Sequence, residues 1–248
     1  MAERAGTFDP LGPDAASGQA GRRALRQGRR PLLVALLATI GFAIVMVLVL
    51  LGDTTGLDLG VTRTLQRVHN GVLLALMEGV SWFGYDPQVY IIEGAIIVAL
   101  FLARLRLEAA FTLLAALGSL VYVLLKGFAR RPRPVDGLDG IIAYGTSSGT
   151  SFPSGHVLNF VIFFGFLLYL TYTLAPPRAP RTALLTVLGA LIVLVGPSRI
   201  YLGQHWFTDT LASYLLGTTL LIAILALYRR AKRRQVRTAT GAAAIPAR

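Results

Sequence analysis

Three short clusters in the sequence combine cationic side chains with histidines, and these residue types are suited to phosphoryl chemistry. The clusters are KGFARRPRP over residues 126–134, PSGH over 153–156 and SRIYLGQHWFTD over 198–209. Lysine offers phosphate a point charge, and arginine matches its oxygens in bidentate geometry. Histidine can act as a nucleophile or exchange a proton near neutral pH. The three clusters together predict a site for phosphoryl transfer.

The fixed positive charges of these clusters are the candidates for binding phosphate oxygens. They are Lys126, Arg133 and Arg199, with Arg130 and Arg131 as weaker candidates. The alternative for each arginine is that it extends from a helix end to lipid headgroups. This alternative suits Lys126 less well, because the chain contains 22 arginines and only two lysines.

The PSGH cluster precedes a long uncharged run and is predicted to begin a helix. A helix N-terminus exposes unpaired backbone N–H groups and the positive end of the helix dipole, so Ser154 and Gly155 can bind an anion. Gly155 also lets an oxyanion approach the backbone closely. Helix capping alone explains Pro153 and Ser154 equally well, but it leaves His156 unexplained.

His205 and Asp209 are four residues apart, which places them on one face of a helical turn. Asp209 could hold one ring nitrogen of His205 protonated and leave the other free as a nucleophile. His156 would then protonate the leaving oxygen. The alternative for His205 and Asp209 is a capping pair at the start of the last helix.

The composition is typical of a polytopic membrane protein. Of the 248 residues, 54% are apolar and only 15% are charged, whereas soluble domains carry about 25% charged residues. The net charge of +12 does not indicate a nucleic-acid partner, because basic residues concentrate in 1–30 and 229–248, where they flank apolar runs. The absence of cysteine excludes disulfides and thiolate metal sites.

Apolar windows predict an all-α membrane protein with six transmembrane helices in a bundle. The predicted spans are 32–51, 87–103, 107–126, 156–175, 183–200 and 210–228. A shorter stretch, 71–83, contains Glu78 and predicts an interfacial helix rather than a seventh span. Residues 1–30 are predicted to be a disordered cytoplasmic tail, 31–230 the membrane domain and 231–248 a basic cytoplasmic tail.

The distribution of arginine predicts the orientation of the chain. With both termini in the cytoplasm, every short inner connection is basic, as the positive-inside rule requires. All three clusters then lie at the outer ends of spans, at one depth. The basic residues of 126–134 would then lie on the outer face, contrary to the rule, and this position indicates a local function for them.

Glu93, inside the second span, is a functional candidate by default, but its place near the outer end favours contact with headgroups.

The ordered pattern of these residues resembles a known family, the type 2 phosphatidic acid phosphatase (PAP2) superfamily of lipid phosphate phosphatases. The matching positions are Lys126, Arg133-Pro134, Pro153-Ser154-Gly155-His156, Ser198-Arg199, His205 and Asp209. The resemblance covers residues 30–230, and it implies a six-helix membrane phosphatase domain.

The resemblance also implies residue roles. His205 would attack phosphorus to form a phosphohistidine, Asp209 would orient His205, and His156 would be the general acid. The phosphoryl group would be bound by Lys126, Arg133, Ser154, Gly155 and Arg199, with Arg131 as a weaker contact. The resemblance implies no metal or other cofactor.

The function implied by the resemblance is hydrolysis of a lipid phosphate at the extracytoplasmic face of the inner (plasma) membrane. The candidate substrates are undecaprenyl pyrophosphate, phosphatidylglycerophosphate and phosphatidate, and the sequence does not choose among them. Transfer of the phosphoryl group to another lipid uses the same residues and stays open. An anion transporter is a further alternative, although the middles of the third to sixth predicted spans are apolar. The sequence predicts no oligomeric state.

Overall fold

The apolar runs of the sequence form the long helices of the structure. The computed structural model describes residues 30–145 and 148–243, and within them the chain is all-helical, without strands. The helices are α1 (Arg30–Leu51), α2 (Thr55–Leu65), α3 (Gly71–Trp82), α4 (Gln88–Leu102), α5 (Arg106–Gly118), α6 (Val121–Ala129), α7 (Gly155–Leu174), α8 (Ala179–Tyr201) and α9 (Phe207–Ala243). The predicted tail 1–30 lies, except for Arg30, outside the described residues.

Five segments of the described chain are long and apolar enough to cross a membrane. They are α1, α5 with α6 as one segment over Arg106–Ala129, α7, α8, and α9 over Phe207–Arg237. The remaining predicted span, 87–103, which is the second in chain order, corresponds to α4, which has 15 residues. At 1.5 Å per residue α4 is about 22 Å long, which is shorter than the hydrocarbon core of about 30 Å. The count of six spans is therefore not confirmed.

Three further elements refine the sequence prediction. A short helix is observed where 71–83 predicts one, as α3. The sequence prediction did not include α2, which follows α1 closely and buries Asp58 and Thr62. The last helix continues past the predicted boundary at residue 230 and reaches Ala243, so much of the basic segment is helical.

The core is built around α7, the most buried of the five membrane-length segments. Its side chains Phe160, Phe163 and Phe166 are buried, and a π-helical turn spans Phe160–Phe164. These rings pack in two clusters with apolar side chains from the neighbouring helices α3, α5, α8 and α9. Because α7 begins at Gly155, this packing fixes the position of the PSGH cluster.

The segment between α6 and α7 is anchored by the side chain of Gln66, the residue that follows α2. The Gln66 amide donates to the carbonyl oxygens of Ile142 at 2.6 Å and Tyr201 at 2.8 Å, and its oxygen accepts from the Ile142 N–H at 3.0 Å. Gln66 therefore ties this segment to the end of α8. Lys126 near the end of α6, His156 at the beginning of α7 and Arg199 near the end of α8 line one cavity. The Ser154 N–H donates to the Asp209 carbonyl at 3.5 Å, where α7 and α9 begin.

Candidate active site

A single cavity of about 900 Å³ collects most of the candidate residues at this end of the bundle. The candidates that line it are Lys126, Arg133, Gly155, His156, Arg199 and His205. Ser154, Arg131 and Asp209 do not line it. Residues from all three sequence clusters thus face one space.

A tight turn between α8 and α9 brings His205 back to Arg199. The backbone N–H of His205 donates to the Arg199 carbonyl at 3.2 Å. Gly203 makes this turn possible with a φ of +61°, and a Cβ there would overlap the Ile142 carbonyl. A side chain at this position is excluded by both its φ and its neighbours. The turn leaves His205 only 2% exposed.

The His205 ring has a defined tautomer in this environment. Arg133 Nη1 lies 3.2 Å from His205 Nε2, and because a guanidinium can only donate, Nε2 must hold the lone pair. The proton is then on Nδ1, which lies 3.6 Å from Asp209 Oδ2, an electrostatic contact longer than a normal hydrogen bond. Burial is the main reason that the pKa of His205 falls to about 4; Asp209 opposes the shift, while Arg199 and Arg133 add to it. Near neutral pH, His205 is an uncharged imidazole suited to nucleophilic attack.

The Asp209 carboxylate is fully buried behind His205 and is held from three directions. Oδ2 accepts hydrogen bonds from the Trp206 N–H at 2.8 Å and from the Ser151 hydroxyl. Oδ1 is paired with Arg131 Nη1 at 2.7 Å. With its orientation fixed, Asp209 can stabilise positive charge that develops on the His205 ring.

The position of Arg131 differs from the sequence prediction, in which Arg131 is a weaker phosphate contact, because the residue does not line the cavity. Its guanidinium is paired with both Asp209 and Asp58, and it donates to Thr208 Oγ1 at 2.8 Å and Thr54 Oγ1 at 3.0 Å. Two carboxylates therefore hold Arg131 behind His205 and away from the cavity. Sequence reasoning missed Asp58, because nothing in its local sequence marks it as a partner of Arg131.

The three cations that line the cavity lack such carboxylate partners in the described part of the chain. Within the described part of the chain, no carboxylate lies within 4.0 Å of Lys126, Arg133 or Arg199. Arg199 is only 2% exposed, and its guanidinium donates to neutral groups, including Tyr85 Oη at 3.0 Å. Buried charges are normally paired. Three cations without counter-ions around one cavity therefore favour an anionic ligand.

His156 is placed by the first turn of α7 and by aromatic packing. Its ring lies against the ring of Tyr85, with the centroids 5.0 Å apart, and Nε2 is buried without a partner among the described residues. The Ser154 hydroxyl is likewise buried and unpartnered there. Two polar groups that lack partners beside a cationic cavity are consistent with a ligand that would satisfy them.

Replacing Gly84 with alanine is expected to displace His156 and therefore to lower, about 10- to 100-fold, the phosphate release that the sequence predicts. A Cβ on Gly84 would lie 2.5 Å from Cδ2 of His156 and 3.0 Å from Phe160. Gly79 lines the same cavity, and a Cβ there would meet nothing within 4 Å. Turnover by G79A should match the parent enzyme, and equal turnover by G84A and G79A would contradict this account.

Glu93 lies in a different environment from the one its sequence position suggests. It is only 9% exposed and lines the cavity, where Oε1 accepts a hydrogen bond from Asn159 Nδ2 at 2.6 Å. Burial at the helix interface, rather than contact with headgroups, is the observed state. Its position as an acidic residue inside an apolar run marks Glu93 as a functional candidate, whereas Asn159 carries no sequence signal.

Comparison with known proteins identifies a family that shares these features. The family model described as the PAP2 superfamily matches residues 107–233. Phosphatidylglycerophosphatase B of Bacillus subtilis (strain 168) is 33% identical over 87 residues, which are 35% of this chain and 43% of that protein. The match therefore spans less than half the length of this relative.

Two solved structures have the same fold. The first is the transmembrane PAP2-type phosphatidylglycerolphosphate phosphatase of Bacillus subtilis, with a TM-score of 0.69 and 23% identity over 82% of this chain and 98% of that one. The second is LpxE of Aquifex aeolicus, with a TM-score of 0.53 and 20% identity over 70% of this chain and 95% of that one. At these identities the likeness concerns the fold alone.

Proposed function

The chain belongs to the PAP2 superfamily, and from this membership we propose that it is an integral membrane phosphatase that removes phosphate from a lipid. The observation that carries the proposal is the neutral, buried His205 beside three cations that have no carboxylate partner in the described chain. A neutral imidazole can attack phosphorus, and the cations can bind the charge of the phosphoryl oxygens.

The proposed reaction proceeds in two displacements. His205 Nε2 forms a bond to phosphorus while the bond from phosphorus to the lipid oxygen breaks, and His156, which enters this step as the protonated imidazolium, gives that oxygen a proton. Asp209 stabilises the phosphohistidine through the Nδ1–H that faces it. His156 then takes a proton from water as the water oxygen attacks phosphorus. The N–P bond breaks, inorganic phosphate leaves and both histidines return to their starting forms.

The phosphoryl oxygens are bound by Lys126, Arg133 and Arg199 in this proposal. Ser154 and the Gly155 N–H add donors from the start of α7. Arg131 acts through Asp209 instead of contacting phosphate. All of these groups are supplied by the protein, so the proposed reaction uses no metal ion.

The proposed location is the extracytoplasmic face of the inner (plasma) membrane. Asp209 lies in the first turn of α9, while the basic residues between 229 and 237 lie near its other end. The 31 membrane-length residues of this helix extend about 46 Å, so the site and the basic segment are at opposite ends of the bundle. The positive-inside rule supports a cytoplasmic position for the basic end.

Phosphate release should be insensitive to chelation. We expect detergent-solubilised protein to release labelled inorganic phosphate from at least one of undecaprenyl pyrophosphate, phosphatidylglycerophosphate and phosphatidate, at rates that differ less than about twofold with and without EDTA. Loss of activity in EDTA that added Mg²⁺ restores would contradict the metal-free reaction. Label that appears on an acceptor lipid instead of as inorganic phosphate would identify a phosphotransferase.

A further inference from the structure

The cavity changes character along its length. Its outer end carries the cations and the two histidines, whereas its deeper part is lined by apolar side chains such as Ile97, Leu113 and Leu117. This polarity suits a lipid whose phosphate binds at the outer end and whose chains extend into the apolar part. The residues at the boundary would contact the part of the lipid that joins the phosphate to the chains.

A buried polar pair lies at this boundary. Asn159 Nδ2 donates to Glu93 Oε1 at 2.6 Å, and both residues are at least nine-tenths buried and line the cavity. Ser119, which also lines the cavity, lies 3.5 Å from the same amide nitrogen. A polar pair among apolar side chains is costly unless its hydrogen-bonding capacity is used.

The pair offers acceptors to the cavity. Because the Asn159 amide group donates to Glu93, its oxygen remains available, and Oδ1 is buried without a partner among the described residues. An amide oxygen can only accept hydrogen bonds. A ligand group that satisfies this pair must therefore be a donor, and the neutral donor that phospholipid headgroups commonly carry is a hydroxyl.

The position of the pair relative to His156 determines where this hydroxyl lies. Asn159 is three residues after His156 on α7, which places it about 4.5 Å further along the helix axis and on a neighbouring part of the same face. His156 is the proposed donor to the leaving oxygen. Asn159 lies about one helical turn beyond His156. It can therefore reach a hydroxyl on the carbon adjacent to the one that bears the leaving oxygen.

We propose that Glu93 and Asn159 form a specificity subsite that binds a hydroxyl of the leaving alcohol, so that the enzyme favours lipid phosphates whose scissile phosphate is esterified to a polyol. This inference rests on the proposed phosphatase function. The subsite disfavours phosphatidate, whose leaving diacylglycerol presents ester groups that can only accept. It also disfavours a pyrophosphate lipid, whose second phosphate would present acceptor oxygens to Asn159 Oδ1, which needs a donor.

The test compares phosphatidylglycerophosphate, whose glycerol carries a free hydroxyl beside the scissile ester, with phosphatidate of the same acyl chains. The parent enzyme should favour the first by kcat/KM. Glu93→Gln preserves the contact with Asn159 but removes one acceptor, and it should lower the ratio of the two kcat/KM values about 10- to 100-fold. A role that is only structural would change both values by the same factor and leave the ratio unaltered.

Two further variants make the outcome decisive. Glu93→Leu combined with Asn159→Leu removes both polar groups together, so that neither is left buried alone, and it should abolish the preference. Glu78→Gln makes the same substitution at an exposed residue of the same cavity. This variant should retain the preference for phosphatidylglycerophosphate. A parent enzyme that favours phosphatidate, or a ratio unaltered by both Glu93 variants, would overturn the inference alone. A parent enzyme that releases phosphate from no lipid phosphate would overturn the phosphatase function as well.

Discussion

Replacing His205 with alanine is expected to lower phosphate release from a lipid phosphate at least about 10³-fold. The variant loses the only protein atom proposed to bond to phosphorus, while the cations that bind the phosphoryl group remain. His156, the other imidazole of the cavity, has no carboxylate partner among the described residues, unlike His205, which faces Asp209 at 3.6 Å. Binding of the phosphoryl group without a nucleophile accounts for the small residual rate.

The measurement has a chemical as well as a kinetic readout. Rapid alkaline quenching of the parent enzyme with radiolabelled substrate should trap a label that is stable to alkali and released by acid, as a phosphohistidine is. H205A should trap none. His69→Ala is the matched control, because His69 is exposed and does not line the cavity, and it should retain both label and turnover. Undiminished phosphate release by H205A would remove His205 from its proposed role.

The convergence of the three clusters could be predicted because it depends only on the order of the helices. Lys126, His156, Arg199 and Asp209 each lie close to the end of a long apolar helix, and successive helices run in opposite directions. Their ends therefore fall alternately on two faces, and all four residues fall on the same one. No side-chain detail is needed for this step. In the structure Lys126, His156 and Arg199 line the cavity, and Asp209 lies directly behind it.

The distinction between Arg131 and Arg133 could not be predicted in the same way. The two residues lie in a segment without helical structure, and their side chains face opposite surroundings. Arg131 meets Asp58, which is 73 residues away in sequence, whereas Arg133 meets His205. Both arginines precede a proline, so the local sequence is similar, and only the tertiary fold decides which of them faces the cavity.

The position of Glu93 was misjudged for a related reason. Hydropathy treats 87–103 as one apolar window, from which an acidic residue near the end is expected to extend toward headgroups. The structure instead packs α4 against α5 and turns Glu93 toward Asn159. Hydropathy averages over all faces of a helix, so it carries no information about which face meets a neighbouring helix.

Replacing His156 with alanine should produce a defect that depends on the leaving group. With a lipid phosphate, whose leaving alcohol is a weak acid, the loss of the general acid should lower kcat/KM about 10²- to 10⁴-fold. With an aryl phosphate, whose phenol leaves readily without protonation, the rate at which the phosphoenzyme forms should fall less than about tenfold. The phosphoenzyme should then accumulate, because H156A also lacks the base that activates water.

The comparison with H205A separates the two histidines by role. A good leaving group cannot replace a missing nucleophile, so H205A should be equally defective with the lipid and the aryl phosphate. If H156A were also equally defective with both, His156 would be a binding residue and another group would protonate the leaving oxygen. Because Tyr85 packs against His156 and hydrogen-bonds to Arg199, Tyr85→Phe then becomes informative. It retains the ring but removes the hydroxyl, which is another proton donor of a residue that lines the cavity.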